Sequence, residues 1–319
     1  MTPPRSVAPK VAVVGAGAIG RGWATLCVAA GWECLFLDTD TRATDQAAGE
    51  IARRARALVA LGRAPAETVE AGLGRLRAGR SLLQACGDAD WVIESVPEDL
   101  HAKQRLFENI GQVARPGAVV TSSSSGLPIT EIAAHARDQQ CCLVAHPLNP
   151  PELIPLVEVV PGKFTAAPAV ESVREWLRAM GRIPIVLKRE VPGNAVGRIA
   201  AAVWRECIDL VLSGVMDVDD IDRAVSLGPS LGWAAAGPHL TYHLGAGDGG
   251  VKAFLEQLLV PFEAWWGSLA QWTRLEPEQV QALTLQIERA YGANLDSIRE
   301  SRDRRLAAIL QALERARKT

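Results

Sequence analysis

No uninterrupted apolar stretch in the 319 residues reaches membrane-spanning length, and residues 1–9 lack the apolar core of a signal peptide. Both absences point away from a membrane partner and toward a cytoplasmic location. Net charge is scarce too: 34 basic residues against 36 acidic ones leave −2 and a pI near 6.3. That balance gives no long-range attraction to nucleic acid or to an anionic lipid surface, and neither partner is expected. The six cysteines, Cys27, Cys34, Cys86, Cys141, Cys142 and Cys207, show no CxxC spacing and fall mostly in apolar runs. They read as buried thiols of a reducing compartment and offer no metal site. Internal repeats and low-complexity tracts are also missing. What is present is an ordinary composition, 48% hydrophobic and 22% charged, long enough for two domains.

The first strong signal is Val-Ala-Val-Val-Gly15-Ala-Gly17-Ala18-Ile19-Gly20, an apolar strand running into three spaced glycines. Each glycine has a mechanical job in holding a dinucleotide. Gly15 permits the tight strand-to-helix turn, Gly17 lets backbone approach a pyrophosphate, and Gly20 lets helix and strand pack closely. The pyrophosphate would rest on the positive end of a helix starting near Ala18. A second apolar run, Leu35-Phe36-Leu37, ends on Asp38, whose carboxylate can accept from ribose hydroxyls and repel a 2′-phosphate. The expected cofactor is NAD rather than NADP.

Strand and helix patterns alternate through the first half, which predicts α/β architecture: a Rossmann-type doubly wound parallel sheet followed by an all-helical C-terminal domain. Strands are expected at the glycine turn, Leu35–Leu37, Trp91–Ile93, Gly117–Thr121, Leu143–Ala145, Leu156–Val160 and Ile183–Leu187. Residues 41–79 read as helix broken near Gly62 and Pro65, and helices are expected at Leu100–Val113, Ala167–Met180 and Ala195–Leu212. The pattern turns wholly helical after Val191-Pro192-Gly193, so residues 1–189 form the expected cofactor domain and 190–319 a substrate and dimerisation domain. Within the latter, Gly228 to Gly249 reads as a Gly/Pro-rich loop and Leu295 to Lys318 as an amphipathic helix facing solvent or a subunit.

The candidate chemistry centres on His146-Pro147-Leu148-Asn149-Pro150-Pro151, at a strand end, and on Glu158 inside Leu156-Val157-Glu158-Val159-Val160. A carboxylate among valines costs desolvation unless it is paired, and an imidazole that becomes cationic is the natural partner. Such a pair suits alcohol oxidation, with histidine as base and glutamate as its orienter. Thr121-Ser122-Ser123-Ser124-Ser125-Gly126 follows another strand; its hydroxyls either face cofactor and substrate or cap a helix starting near Pro128. Glu98 and Lys103 either meet the nicotinamide ribose or are solvated helix charges. Trp233, His239, Tyr242, His243, Trp265 and Trp266 give the second domain an aromatic lining that suits core packing, a subunit interface or a partly apolar pocket.

Together these residues resemble the 3-hydroxyacyl-CoA dehydrogenase family, with nearest likeness to its L-gulonate 3-dehydrogenase (lambda-crystallin) branch, over nearly the whole chain. The resemblance implies an NAD cofactor bound by Gly15, Gly17, Ala18, Ile19, Gly20, Asp38, Glu98, Lys103, Ser123 and Asn149. It implies a catalytic set of His146 and Glu158, with Ser125 bonding the substrate oxygen, and a helical domain that makes a homodimer. Asn194, Arg198 and Trp233 are further substrate candidates.

Two departures stand out. Gly197 occupies the place of a family asparagine that helps hold the substrate carbonyl, which predicts either a re-registered helix bringing Asn194 into play or a changed substrate. Gly232 stands where the gulonate and carnitine branches carry arginine before an aromatic residue. The leading expectation is NAD-dependent oxidation of a small gulonate-like 3-hydroxy acid. Carnitine-like substrates come second and acyl-CoA thioesters third, and a non-catalytic NAD-binding protein is the competing class.

Overall fold

The computed structural model describes residues 8–292 and 294–316, so the first seven residues of the segment weighed as a signal peptide lie outside it. The chain divides into two compact units, Met1–Arg198 and Ile199–Thr319.

The first unit is built on one eight-stranded sheet ordered β3-β2-β1-β4-β5-β6-β7-β8. Its strands are β1 (Val11–Val14), β2 (Cys34–Leu37), β3 (Leu76–Ala78), β4 (Trp91–Glu94), β5 (Val119–Ser122), β6 (Cys142–Pro147), β7 (Leu156–Pro161) and β8 (Ile183–Val186). The helices between them are α1 (Ala18–Ala29), α2 (Thr41–Ala60), α3 (Ala66–Leu73), α4 (Leu82–Cys86), α5 (Leu100–Val113), α6 (Ile129–Ile132) and α7 (Ala167–Ala179). Side chains alternate across the sheet, as strand geometry requires. Val11 and Val13 join Trp23, Phe36, Trp91, Ile93 and Val173 in one core layer, while Ala12 and Val14 join Val92, Phe107, Ile110, Val120 and Val144 in the other. Helices cover both faces, so the central strands are apolar on both sides. Strand order reverses between β1 and β4, and in such sheets the crevice at that reversal is the usual ligand site.

Two expectations need correction here. The sheet is not uniformly parallel: β7 runs antiparallel to β6, because residues 148–155 are too few for the dozen-residue crossover that a parallel neighbour needs. The helical reading of 41–79 also missed β3, which pairs in parallel with β2. Three residues that are only partly buried or exposed leave no period to detect.

The second unit is helical: α8 (Asn194–Leu212) enters it, followed by α9 (Val218–Leu227), α10 (Pro229–Ala236), α11 (Pro238–Leu244), α12 (Gly250–Ser268), α13 (Pro277–Tyr291) and α14 (Leu295–Ala316). Its core gathers Ile208, Val211, Ile221 and Leu283. The loop expected at 228–249 is instead mostly α10 and α11. Pro229 and Pro238 sit at helix starts, where proline is tolerated, and Gly237, at φ +76°, separates the two helices. The glycines and prolines there are punctuation marks of short helices. No helix among the described residues is long and apolar enough to cross a membrane.

Cys27, Cys34, Cys86 and Cys142 are buried, while Cys141 and Cys207 are half-buried. Burial pushes the Cys86 and Cys142 thiols up to about 12, which withholds the thiolate form needed by a nucleophile or ligand.

Candidate active site

A cleft of about 1120 Å³ opens beyond the ends of β1, β2 and β4, lined by Gly15, Gly17, Ala18, Ile19, Asp38 and Ser95 among others. The glycine turn is fixed by steric necessity. Gly15 holds φ +105°, and a Cβ there would lie 2.5 Å from the Ser95 carbonyl oxygen; a Cβ on Gly20 would lie 1.8 Å from the Gly15 oxygen. Gly17, by contrast, faces open space, so its backbone is free for a ligand to approach. Asp38 also serves the turn itself. Its Oδ2 accepts from Ala16 N–H at 2.7 Å and its Oδ1 from Asp40 N–H at 3.0 Å, tying the glycine turn to the end of β2. Arg80 and Ser81 also line this cleft and escaped the sequence reading, because they follow the unrecognised β3.

At the next two strand ends the polar groups bond mainly to one another. Lys103, expected at the ribose or in solvent, is 1% exposed; its Nζ lies 2.8 Å from Glu94 Oε1 and 3.3 Å from Glu98 Oε2. Solvated helix charges are therefore the wrong reading for Lys103. Glu94, which sequence reasoning passed over as a strand end, is fully buried and also accepts from Ser122 Oγ at 2.6 Å and Val96 N–H at 2.7 Å. A buried charge stripped of its partner costs about 3–5 kcal/mol, so this pair stays closed. Glu98 is half-exposed. Burial alone would raise its carboxyl, but the Ser124 hydroxyl, the Lys103 ammonium and the Gly126 N–H outweigh that and hold it below the usual carboxylate range.

The serine loop divides its labour. Ser124 Oγ accepts from Leu127 N–H at 2.8 Å and donates to Glu98, which closes the loop but does not cap α6, whose start takes no side-chain hydrogen bond. Ser123, expected to face the cofactor, has its hydroxyl engaged by Trp23 Nε1 at 3.0 Å and by Ser95 Oγ at 2.9 Å. Ser125 is exposed, and among the described residues its hydroxyl takes no protein partner. Asn149 is exposed on the β6–β7 connection.

His146 and Glu158 sit directly opposite each other across the antiparallel β6–β7 pair, and residues so paired carry their side chains on the same face. His146 Nδ1 lies 2.9 Å from Glu158 Oε2, with both side chains buried. The other carboxylate oxygen, Oε1, accepts from the N–H groups of Ala195 and Val196 at 2.8 and 2.9 Å, at the start of α8. Glu158 is therefore fully used: one oxygen orients an imidazole and the other closes a helix terminus.

Asn194 is buried, and its amide donates to the carbonyls of Ser124 and Ser125. Its amide is thereby engaged with the serine loop. A Cβ on Gly197 would meet nothing within 4 Å, and the same holds for Gly232. Arg198 is exposed, its guanidinium 3.4 Å from the Pro192 oxygen. Among the described residues, no group of three His, Cys, Asp or Glu side chains converges to hold a metal.

In the second unit, described by itself, an apolar pocket of about 680 Å³ is lined by His239, Tyr242, His243, Phe254, Phe262 and Trp266 with aliphatic neighbours. Trp233 and Trp265, expected in that lining, are not part of it; Trp265 packs on Phe262 with ring centroids 4.9 Å apart.

Residues 10–191 match the family model described as the NAD binding domain of 3-hydroxyacyl-CoA dehydrogenase, and residues 193–283 match that of its C-terminal domain. An L-carnitine dehydrogenase of Streptomyces coelicolor is 37% identical over 316 residues, covering 99% of this chain and 98% of its own. A 3-hydroxyacyl-CoA dehydrogenase of Gibberella moniliformis is 33% identical over 96% of this chain and 95% of its own. Among solved structures, a 5-formyl-3-hydroxy-2-methylpyridine 4-carboxylic acid 5-dehydrogenase, described as an NAD-dependent dismutase, has a TM-score of 0.83 at 29% identity. The match covers 96% of this chain and 98% of that one.

Proposed function

The chain belongs to the 3-hydroxyacyl-CoA dehydrogenase family, and on that premise we propose that it oxidises the secondary alcohol of a carnitine-like 3-hydroxy acid to the ketone. The observation that carries the reaction type is the buried 2.9 Å contact between His146 and Glu158, on the same sheet as a glycine turn whose open Gly17 fits a dinucleotide. With Nδ1 held by the carboxylate, the imidazole keeps its proton on that nitrogen and offers the lone pair of Nε2. Nε2 takes the hydroxyl proton, and Glu158 stabilises the resulting imidazolium. NAD held at the Gly15–Gly20 turn would supply the hydride acceptor for the carbon that bears that hydroxyl. The exposed Ser125 hydroxyl donates to the reacting oxygen, while Glu98 and Lys103 shape the nicotinamide side of the site. Arg198 and Trp233 stay as candidates for substrate contact.

The substrate reading moves from gulonate, first in the sequence analysis, to the carnitine-like alternative. The named L-carnitine dehydrogenase relative supports that shift. Gly197, with no side-chain donor, fits the changed substrate that this departure from the family pattern predicts. Purified protein with NAD and a panel of L-carnitine, D-carnitine, L-gulonate and 3-hydroxybutyryl-CoA decides the matter by NADH formation. We expect kcat/KM for L-carnitine to exceed every other member by roughly tenfold or more. A thioester or gulonate preference would overturn the carnitine reading, and silence across the panel would favour the non-catalytic class.

We further propose a homodimer through the helical unit. Large apolar side chains stand exposed across the helical unit, Val260 at 76% and Trp265 at 55% with Leu227 and Leu231 also exposed, and a subunit contact would cover some of them. Sedimentation at twice the chain mass of 34.1 kDa is the expected result, and a monomer at micromolar concentration would refute it.

A further inference from the structure

The turn opening α8 serves two neighbours at once. Asn194 holds φ +48°, a left-handed conformation that few residues other than glycine adopt, though asparagine tolerates it well. Its Nδ2 donates to the carbonyls of Ser124 and Ser125 at 3.4 and 3.3 Å, while the next two N–H groups end on Glu158 Oε1. Ser124 is already fixed on its hydroxyl side by Glu98 and Leu127 N–H, so the amide of Asn194 is what fixes the carbonyl side of this loop.

We propose that Asn194 is a positioning residue: its side-chain amide holds the Ser125 peptide in the orientation that presents the Ser125 hydroxyl to the reacting oxygen. The proposal rests on the dehydrogenase reading above and adds to it the residue that ties the oxygen donor to the turn anchoring the His146–Glu158 pair. The choice of residue follows from donor chemistry. Two carbonyl oxygens converge on one point, and an NH₂ group brings two hydrogens there. Aspartate fits the same backbone but turns oxygen lone pairs toward those carbonyls. Glycine keeps the left-handed backbone and removes the donors altogether.

The test compares wild type with Asn194→Gly and Asn194→Asp, measuring kcat, KM, the NAD dissociation constant, thermal midpoint and amide exchange at residues 125–127. For Asn194→Gly we expect kcat to fall about tenfold or more, as small misplacements of reacting groups do, with NAD affinity within about twofold of wild type. Exchange in the serine loop should be faster without any cofactor present. Asn194→Asp should have the lower kcat of the two variants, yet a thermal midpoint at or above that of Asn194→Gly, because a carboxylate favours a helix start. A residue that only starts the helix predicts the reverse in activity, with aspartate restoring kcat. That rescue, or wild-type kcat in Asn194→Gly, overturns the proposal. Wild-type protein inactive on every substrate removes the functional reading itself, and the proposal with it, before either variant is compared.

Discussion

Glu158→Gln is expected to remove nearly all turnover while leaving the fold and NAD binding intact. Glutamine has the shape of glutamate, and its oxygen can still accept from Ala195 and Val196 N–H, so the start of α8 stays closed. Its amide NH₂ then faces His146 Nδ1, where the carboxylate oxygen lay at 2.9 Å. A donor at that point forces the proton onto Nε2, and the lone pair that should take the substrate proton is gone. Loss of a general base typically costs about 10²–10⁴ in rate, and the drop should appear in kcat. His146→Ala should match it, and the double variant should add little, because paired groups act as a unit. Glu158→Ala differs: it also orphans two N–H groups, at about 1–3 kcal/mol of stability per unsatisfied group, so its thermal midpoint should fall. A Glu158→Gln enzyme with wild-type kcat would show that the pair is structural.

The second large effect is on cofactor choice. Asp38→Ala should weaken NAD binding about 10- to 100-fold and raise the use of NADP relative to NAD, since a charge-assisted hydrogen bond contributes about 1.5–3 kcal/mol. Two causes add. The carboxylate holds the Ala16 N–H of the glycine turn, and its remaining lone pairs are the acceptors available to a ribose. Its negative charge repels a 2′-phosphate, and once it is removed, Arg80 in the same cleft is the cation left to attract one. The ratio of kcat/KM for the two cofactors measures this. An unchanged ratio would mean that Asp38 serves only the turn.

Much of the site was readable because its chemistry depends on residue type at fixed spacing. Gly15 and Gly20 are positions where any Cβ would strike backbone, so the sequence displays the constraint directly. Glu158 in a valine strand demanded a partner, and His146 was the available one. Glu94 was invisible for the opposite reason. A glutamate closing a strand looks like any solvent-facing end, and only the arrival of Lys103 from α5 reveals it as a buried ion pair. The sequence assigned different jobs to Ser123 and Ser125 but not their surroundings, since Trp23, far away in sequence, engages the Ser123 hydroxyl.

Local rules therefore settled this protein's glycine turn and its alternating strands and helices, and pointed to His146 and Glu158 as partners, because sterics and desolvation act within a few residues of their cause. Tertiary structure alone settled the antiparallel turn of β7 that brings that pair face to face. It also settled the burial of Lys103 and the tie from Asn194 to the serine loop, because each depends on segments that meet only after the chain has folded.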